Sequence, residues 1–225
     1  FMHDSTGYIL GAFSFYFTQG THQISFYSDR GSAIITSVTL KQPSDVPDYD
    51  AYLSACGAQS DTFDQKIVIN AESPTVKSSS MLYASCDKTS GNIDPYPNGK
   101  EKLNILGGDK FSQVGQWVEY AFDVEDAGFY NLNIKYKQNM SIGTISYRDI
   151  YIDGKIPFSE MQNVQFPYAS KWQGKTIGGE NASKIFLTQG KHTIRIQVTM
   201  GDYGEVLSKI EGIVIFPLAD AEQLI

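Results

Sequence analysis

Side chains that alternate between apolar and polar at a period of two recur along most of this chain, and no other feature restricts its fold as much. Val118, Tyr120, Phe122 and Val124 share one face of Trp117–Val124, and Tyr130, Leu132, Ile134 and Tyr136 repeat the pattern in the next run. Lys66–Glu72 reads as an opening strand, and Ile150 and Ile152 lead into Asp153-Gly154, a hairpin-turn dipeptide. Ile194, Ile196 and Val198 alternate again, and Ile213 and Ile215 close the set. Successive strand residues leave opposite faces, so each run offers one apolar face to a core and one to water. No segment carries a long amphipathic helix. The pattern predicts an all-β fold, an antiparallel β-sandwich of the jelly-roll kind. Long loops are expected at 73–113, 137–146 and 157–183, and loops on a rigid sandwich commonly carry binding residues.

A second feature is an internal echo. Phe15–Phe26 reads Phe-Tyr-Phe-Thr-Gln-Gly-Thr-His-Gln-Ile-Ser-Phe, and Ile185–Ile196 reads Ile-Phe-Leu-Thr-Gln-Gly-Lys-His-Thr-Ile-Arg-Ile. Each copy runs into a further apolar strand, Ile34–Leu40 or Ile213–Phe216, then into a short acidic, helix-compatible stretch, Asp48–Ala55 or Ala219–Ile225. This divides the chain into closing strands of a preceding, truncated repeat (1–43), a linker (44–65), a complete sandwich (66–218) and the start of a next connector (219–225). Phe1-Met2-His3-Asp4 is not a normal start, which suggests that a targeting segment has been removed. The apolar face of 1–43 has to be buried somewhere, either on the 66–218 unit or in a dimer formed through these N-terminal strands.

The net charge of −7 and the lack of a Lys/Arg block exclude a nucleic-acid footprint, and no apolar run approaches membrane-spanning length. Nucleophile elbows, zinc-binding helices, phosphate loops and dinucleotide fingerprints are missing from the sequence. Only His3, His22 and His192 are present, and His192 shares the parity of Ile194, so it reads as a satisfied structural histidine. Glu119, Asp123 and Glu125 occupy ordinary outward strand and turn positions. Cys56 and Cys86 are open to two readings, a disulfide or two single thiols.

Asn70 and Glu72 are two apart at the end of the opening strand, so they leave the same face, and Glu211 opens the last strand. Such oxygen donors suit a hard Ca²⁺ ion, while the alternative is a solvent-facing edge. Sugar rings stack an apolar C–H face on aromatics and present hydroxyls to polar groups. The segment Phe166–Gln173 supplies both, with Tyr168 and Trp172, and Trp172 reads either as a stacking platform or as a loop anchor. Asn139, Tyr147, Arg148, Asp202 and Tyr203 fall at strand ends, and Tyr96, with Tyr83 and Asn98, lies in the first long loop. Trp117 reads as packing.

Taken in order, several pieces carry a family resemblance: Ile69-Asn70-Ala71-Glu72-Ser73, Gly115–Tyr120 with Phe122–Tyr130, Ile152-Asp153-Gly154, Leu187–Arg195 and Lys209–Ile213. Over 66–218 the chain resembles the galactose-binding-like jelly rolls of carbohydrate-binding module families six and thirty-five, as found in large secreted bacterial proteins. The resemblance implies a structural calcium between the first and last strands. It places the ligands at Asn70, Glu72 and Glu211, the last standing where an Asp is usual. It further implies a non-catalytic carbohydrate-binding function, an extracellular or cell-surface location and neighbouring domains in the same polypeptide. The competing readings are a scaffold sandwich with no sugar site and a fragment of a polysaccharide-acting enzyme.

Overall fold

The computed structural model describes residues 13, 15–27, 31, 34–40, 45–57, 65–96, 98–140 and 142–203. Eleven strands and one α-helix are assigned among them. The strands are β1 (Val76–Lys77), β2 (Ala84–Ser85), β3 (Ile105–Leu106), β4 (Trp117–Val124), β5 (Gly128–Asn131), β6 (Asn133–Gln138), β7 (Ile145–Ile152), β8 (Val164–Pro167), β9 (Ala169–Thr176), β10 (Lys184–Leu187) and β11 (Gly190–Thr199). The fold is all-β and antiparallel. One layer is a five-stranded sheet in the order β1-β4-β11-β7-β8. The other is built from β5 paired with β10 and β6 paired with β9, with a small β2–β3 pair beside them. The Ile177 amide donates to the Leu132 carbonyl at 3.0 Å and carries the β6–β9 ladder on toward β5–β10.

The alternation in the sequence becomes the core. Val118, Tyr120, Val124, Ile150, Ile194, Val164 and Phe166 point inward from the five-stranded sheet, and Ile177, Ile185 and Leu187 meet them from the second layer. Phe158, Met161 and Leu82, all at 0% exposure, fill the gaps between strands. Burying a side chain of this size contributes about 1.5–3 kcal/mol. At the hairpin after β7, Asp153 and Gly154 have φ of 50° and 75°, the left-handed conformation that this dipeptide tolerates best. Asp153 then reaches across the turn. Its carboxylate accepts from the Thr193 amide at 2.8 Å and lies 2.7 Å from His192 Nδ1, fixing the hairpin to β11. His192 is 8% exposed, and its Nε2 lies 2.9 Å from the Thr188 carbonyl, so it is the structural histidine expected.

Several expectations are revised. Within the expected linker, the acidic stretch read as helix-compatible, Asp48–Ala55, does form helix α1 (Tyr49–Cys56), capped by the Asp48 carboxylate, which accepts from the Ala51 amide at 2.7 Å. Its Tyr49 and Tyr52 rings pack on Phe158, with centroids 4.9 and 5.0 Å away. The Tyr49 and Tyr52 hydroxyls accept from the amides of Lys184 and Phe186 at 2.7 and 2.8 Å, covering the open edge of β10. The supposed loop 157–183 contains β8 and β9, so Trp172 stands on a strand. Its signal was weak because β9 has a single partner, β6, and an edge strand does not need a clean apolar face. Residues 65–70 carry no assigned strand, although Ile67 and Ile69 still pack on the core. Cys56 and Cys86 are not joined by a disulfide.

The described residues of 13–40 carry no assigned strand, and their large apolar side chains are exposed, from Phe13 at 38% to Tyr27 at 96%. The burial expected for this face on the 66–218 unit is not seen. Glu211, Ile213–Phe216 and 219–225 lie outside the described residues.

Candidate functional site

Strand register defines one end of the sandwich. Gln138 faces Ala169, Ile145 faces Pro167, Thr199 faces Tyr147 and Gln197 faces Trp117. The connections at 139–144, at Tyr168, at 200–203 and at 111–116 therefore gather at that end. Chain leaving β1 toward Tyr83 starts there as well, since the Ser78 amide donates to the Trp117 carbonyl at 3.0 Å.

Three of the sequence-derived candidates meet directly. Tyr147, at 5% exposure, donates its hydroxyl to Asp202 Oδ2 at 3.2 Å, and its ring lies edge-on to Tyr203 with centroids 5.9 Å apart. Gly201 lets the chain turn over the Tyr147 ring. A Cβ there would come within 2.2 Å of it, and φ is +55°. Tyr203 itself is exposed at 48% and offers its ring to solvent. Asn139, Met140 and Ile142 on the neighbouring loop are exposed, and Tyr168 is half-buried between β8 and β9.

Arg148 follows Tyr147 and points to the other face. Its guanidinium donates to Ser146 Oγ and the Tyr147 carbonyl, both at 2.7 Å, and to the Phe111 carbonyl at 2.9 Å. Burial pushes its pKa down to about 10. All of this commits Arg148 to bracing the 107–116 connection.

Trp172 lies on the outer face of the second layer, half-buried. Its Nε1–H donates to Asp87 Oδ2 at 2.9 Å, and the Lys137 ammonium sits 5.4 Å from its ring centroid. The same carboxylate takes a 2.5 Å hydrogen bond from Lys137 Nζ, with 2.6 and 2.5 Å bonds from the Thr89 amide and hydroxyl. Burial would raise the Asp87 pKa, but the bonds from Lys137, Thr89 and Trp172 outweigh it and hold the carboxyl far below the usual carboxylate range. Asn104, 5% exposed, closes the base of the loop by accepting from the Asp87 amide at 2.8 Å and donating to the Asp87 carbonyl at 3.0 Å. Lys135 bonds the Asn92 carbonyl from below. The segment 86–104 is thus an Ω-like loop pinned across the outer face of β6 and β9. It carries Tyr96, exposed at 52%, beside a depression of about 140 Å³ lined by Lys88, Asn98, Gly99 and Lys100.

The sequence reading missed Asp87, Asn104 and Lys137. Lys137 could have been flagged, since it alternates with Tyr136 and so faces outward, whereas Asp87 gives no local signal. Trp117, read as packing, is half-buried beneath Arg195, whose guanidinium lies 4.0 Å from the ring centroid and also bonds Glu119 at 2.8 Å.

At the other candidate position, Asn70 and Glu72 occupy a turn closed by the Ser73 amide donating to the Asn70 carbonyl at 3.1 Å. Tyr120 donates to the Ala71 carbonyl at 2.8 Å, and its pKa is raised by burial and by the nearby Glu72 charge. The turn offers hard oxygen donors, the chemistry Ca²⁺ takes, from two of the three expected ligands. Among the described residues, no three acidic, histidine or cysteine side chains converge on one point.

No family model matches the chain. Among curated proteins it is similar to the cycloisomaltooligosaccharide glucanotransferase of Niallia circulans, 31% identical over 98 residues that make up 44% of this chain and 9% of that enzyme. The chain thus spans less than a tenth of the length of this curated relative. Among solved structures it is similar to a Paenibacillus sp. cycloisomaltooligosaccharide glucanotransferase complexed with cycloisomaltoheptaose, with a TM-score of 0.42 and 20% identity over 59% of this chain and 16% of that one. It is also similar to the family 35 carbohydrate-binding module of Paenibacillus barcinonensis, with a TM-score of 0.37 and 19% identity over 58% of this chain and 85% of that module. A family 35 module from Clostridium thermocellum gives a TM-score of 0.38 and 16% identity over 53% of this chain and 78% of that one.

Proposed function

We propose that this chain is a non-catalytic carbohydrate-binding module of a larger extracellular protein. It would take sugar on the outer face around Trp172 and the pinned 86–104 loop, with the loops at the Tyr203 end as a second flank. The observation that carries this reading is Trp172. Its indole is held at Nε1 by Asp87 and stays partly exposed on the outer face of β9. An oriented ring with lysine and amide side chains nearby suits a sugar's apolar face and its hydroxyls. Three of the described carboxylates are engaged in ion pairs: Glu119 with Arg195, Asp153 with His192, and Asp87 with Lys137. The curated relative's name makes cycloisomaltooligosaccharides the first ligands to try.

Asn70, Glu72 and Glu211 are proposed to hold a structural Ca²⁺ that ties the terminal strands of the sandwich together. A scaffold role without sugar remains the second reading, because the Asp87–Trp172 bond also braces a loop. A glycan array run with Ca²⁺ and with chelator separates the two. Binding to a defined glycan class supports the module. A folded chain that binds no glycan in either condition supports the scaffold.

A further inference from the structure

The echo between 15–26 and 185–196 is structural as well as sequential. In the sandwich, Gly190 has φ of 130° and His192 Nε2 lies 2.9 Å from the Thr188 carbonyl. In the N-terminal segment, Gly20 has φ of 140° and His22 Nε2 lies 2.7 Å from the Thr18 carbonyl. The same turn and the same histidine bond are made twice. The surroundings differ. Ile185, Leu187 and Ile194 are 3, 5 and 5% exposed, while their counterparts Phe15, Phe17 and Ile24 are 66, 40 and 45% exposed. In the sandwich these positions are covered because β11 lies between β4 and β7, and β10 lies on β5. Residues 13–27 carry no Asp, Glu, Lys or Arg in a chain whose net charge is −7. An uncharged, aromatic, strand-patterned surface of this kind is a pairing surface and not a solvated one.

We infer that residues 15–27 form the interaction surface for a second sandwich of the same kind. That sandwich would lack its own counterpart of β10 and β11 and would supply strands equivalent to β4 and β7. The segment completes this partner as the β10–β11 hairpin completes the sandwich described above, by adding strands to an open sheet. The equivalence identifies the occupant, since each exposed side chain has a buried counterpart whose neighbours are known.

The test grafts Phe15–Phe26 in place of Ile185–Ile196 in the full chain, beside a scrambled graft of identical composition. The authentic graft is expected to melt in one cooperative transition, at a lower temperature because Phe replaces Ile and Leu, while the scramble loses that transition. An authentic graft that melts no better than the scramble overturns the inference. On the unmodified chain, light scattering is expected to give 25.0 kDa, and hydrogen exchange through 15–27 to run orders of magnitude faster than through β10–β11. A mass of twice that value would place a second copy on this surface. Slow exchange in a monomer would place the chain's own sandwich there. Either result contradicts the inference.

Discussion

At Asp87, hydrogen bonds from Lys137, Thr89 and Trp172 meet on one buried carboxylate, and its removal leaves Lys137 without its anion. Breaking such a pair on one side costs about 3–5 kcal/mol, so Asp87→Ala should lower the melting temperature sharply and speed exchange through 88–103. The depressed pKa sets a direction with pH. Stability from Asp87 is fully present above the unfolded carboxyl value of about 3.9 and is lost as pH falls through the lower folded value. Acid unfolding of the chain should therefore be shallower in Asp87→Asn. His192 works in the opposite sense. Burial lowers its pKa, but Asp153 and the Thr188 carbonyl outweigh this and raise it above the ordinary histidine value. Its contribution is fully present below about pH 6.5 and is lost as pH rises through the folded pKa, so a melting-temperature decline above that pH should flatten in Asp153→Asn. Trp172 separates its two roles by substitution. Trp172→Phe keeps a ring and loses the bond to Asp87. Trp172→Ala loses both and should weaken sugar binding by about 1–3 kcal/mol if the ring is a platform. Equal affinities for wild type and Trp172→Ala, read by titration calorimetry, would remove the ring from the site.

Among the elements, α1 makes the clearest prediction. Its two tyrosine hydroxyls take the amides of Lys184 and Phe186, which would otherwise lie on an unpaired sheet edge. Replacing both with Phe should cost about 1 kcal/mol per lost bond and release β10 to faster exchange, with the aromatic packing on Phe158 retained. Unchanged exchange in β10 would show that the hydroxyls do not cover that edge. The elements also show what the sequence could convey. Central strands β4 and β11 were legible because burial on one face imposes alternation, as at Val118, Tyr120 and Val124, while β7 was legible only at Ile150 and Ile152 because Tyr147 is buried on its opposite face. The Asp153-Gly154 hairpin was legible because few dipeptides accept left-handed φ at both positions. Edge strand β9 was hidden, since Ser170, Lys171 and Gln173 answer to solvent and to one neighbour. The site was legible only as a set of residue types. Trp172 and Tyr203 were named, but the Asp87 contact joins residues 85 positions apart, and Arg148 looked available because nothing local shows that Phe111 claims it.

The whole molecule combines a sandwich core with a loop pinned over its outer face. If Asn70, Glu72 and Glu211 bind Ca²⁺ in the folded state alone, excess Ca²⁺ should raise the melting temperature by mass action, by about 2.7 kcal/mol of stability at one hundred times the dissociation constant. Identical melts in Ca²⁺ and in chelator, after verified metal removal, would exclude the ion. The central claim is that the outer face around Trp172 takes sugar. It is tested most directly by chemical-shift mapping of the isotope-labelled chain titrated with cycloisomaltooligosaccharides and then with an array-selected glycan. Saturable shifts are expected at the Trp172 indole N–H and in 86–104, absent from the distant Asp153-Gly154 hairpin. A saturable ligand that shifts only residues elsewhere, or no glycan that shifts any resonance of the folded chain, would contradict it.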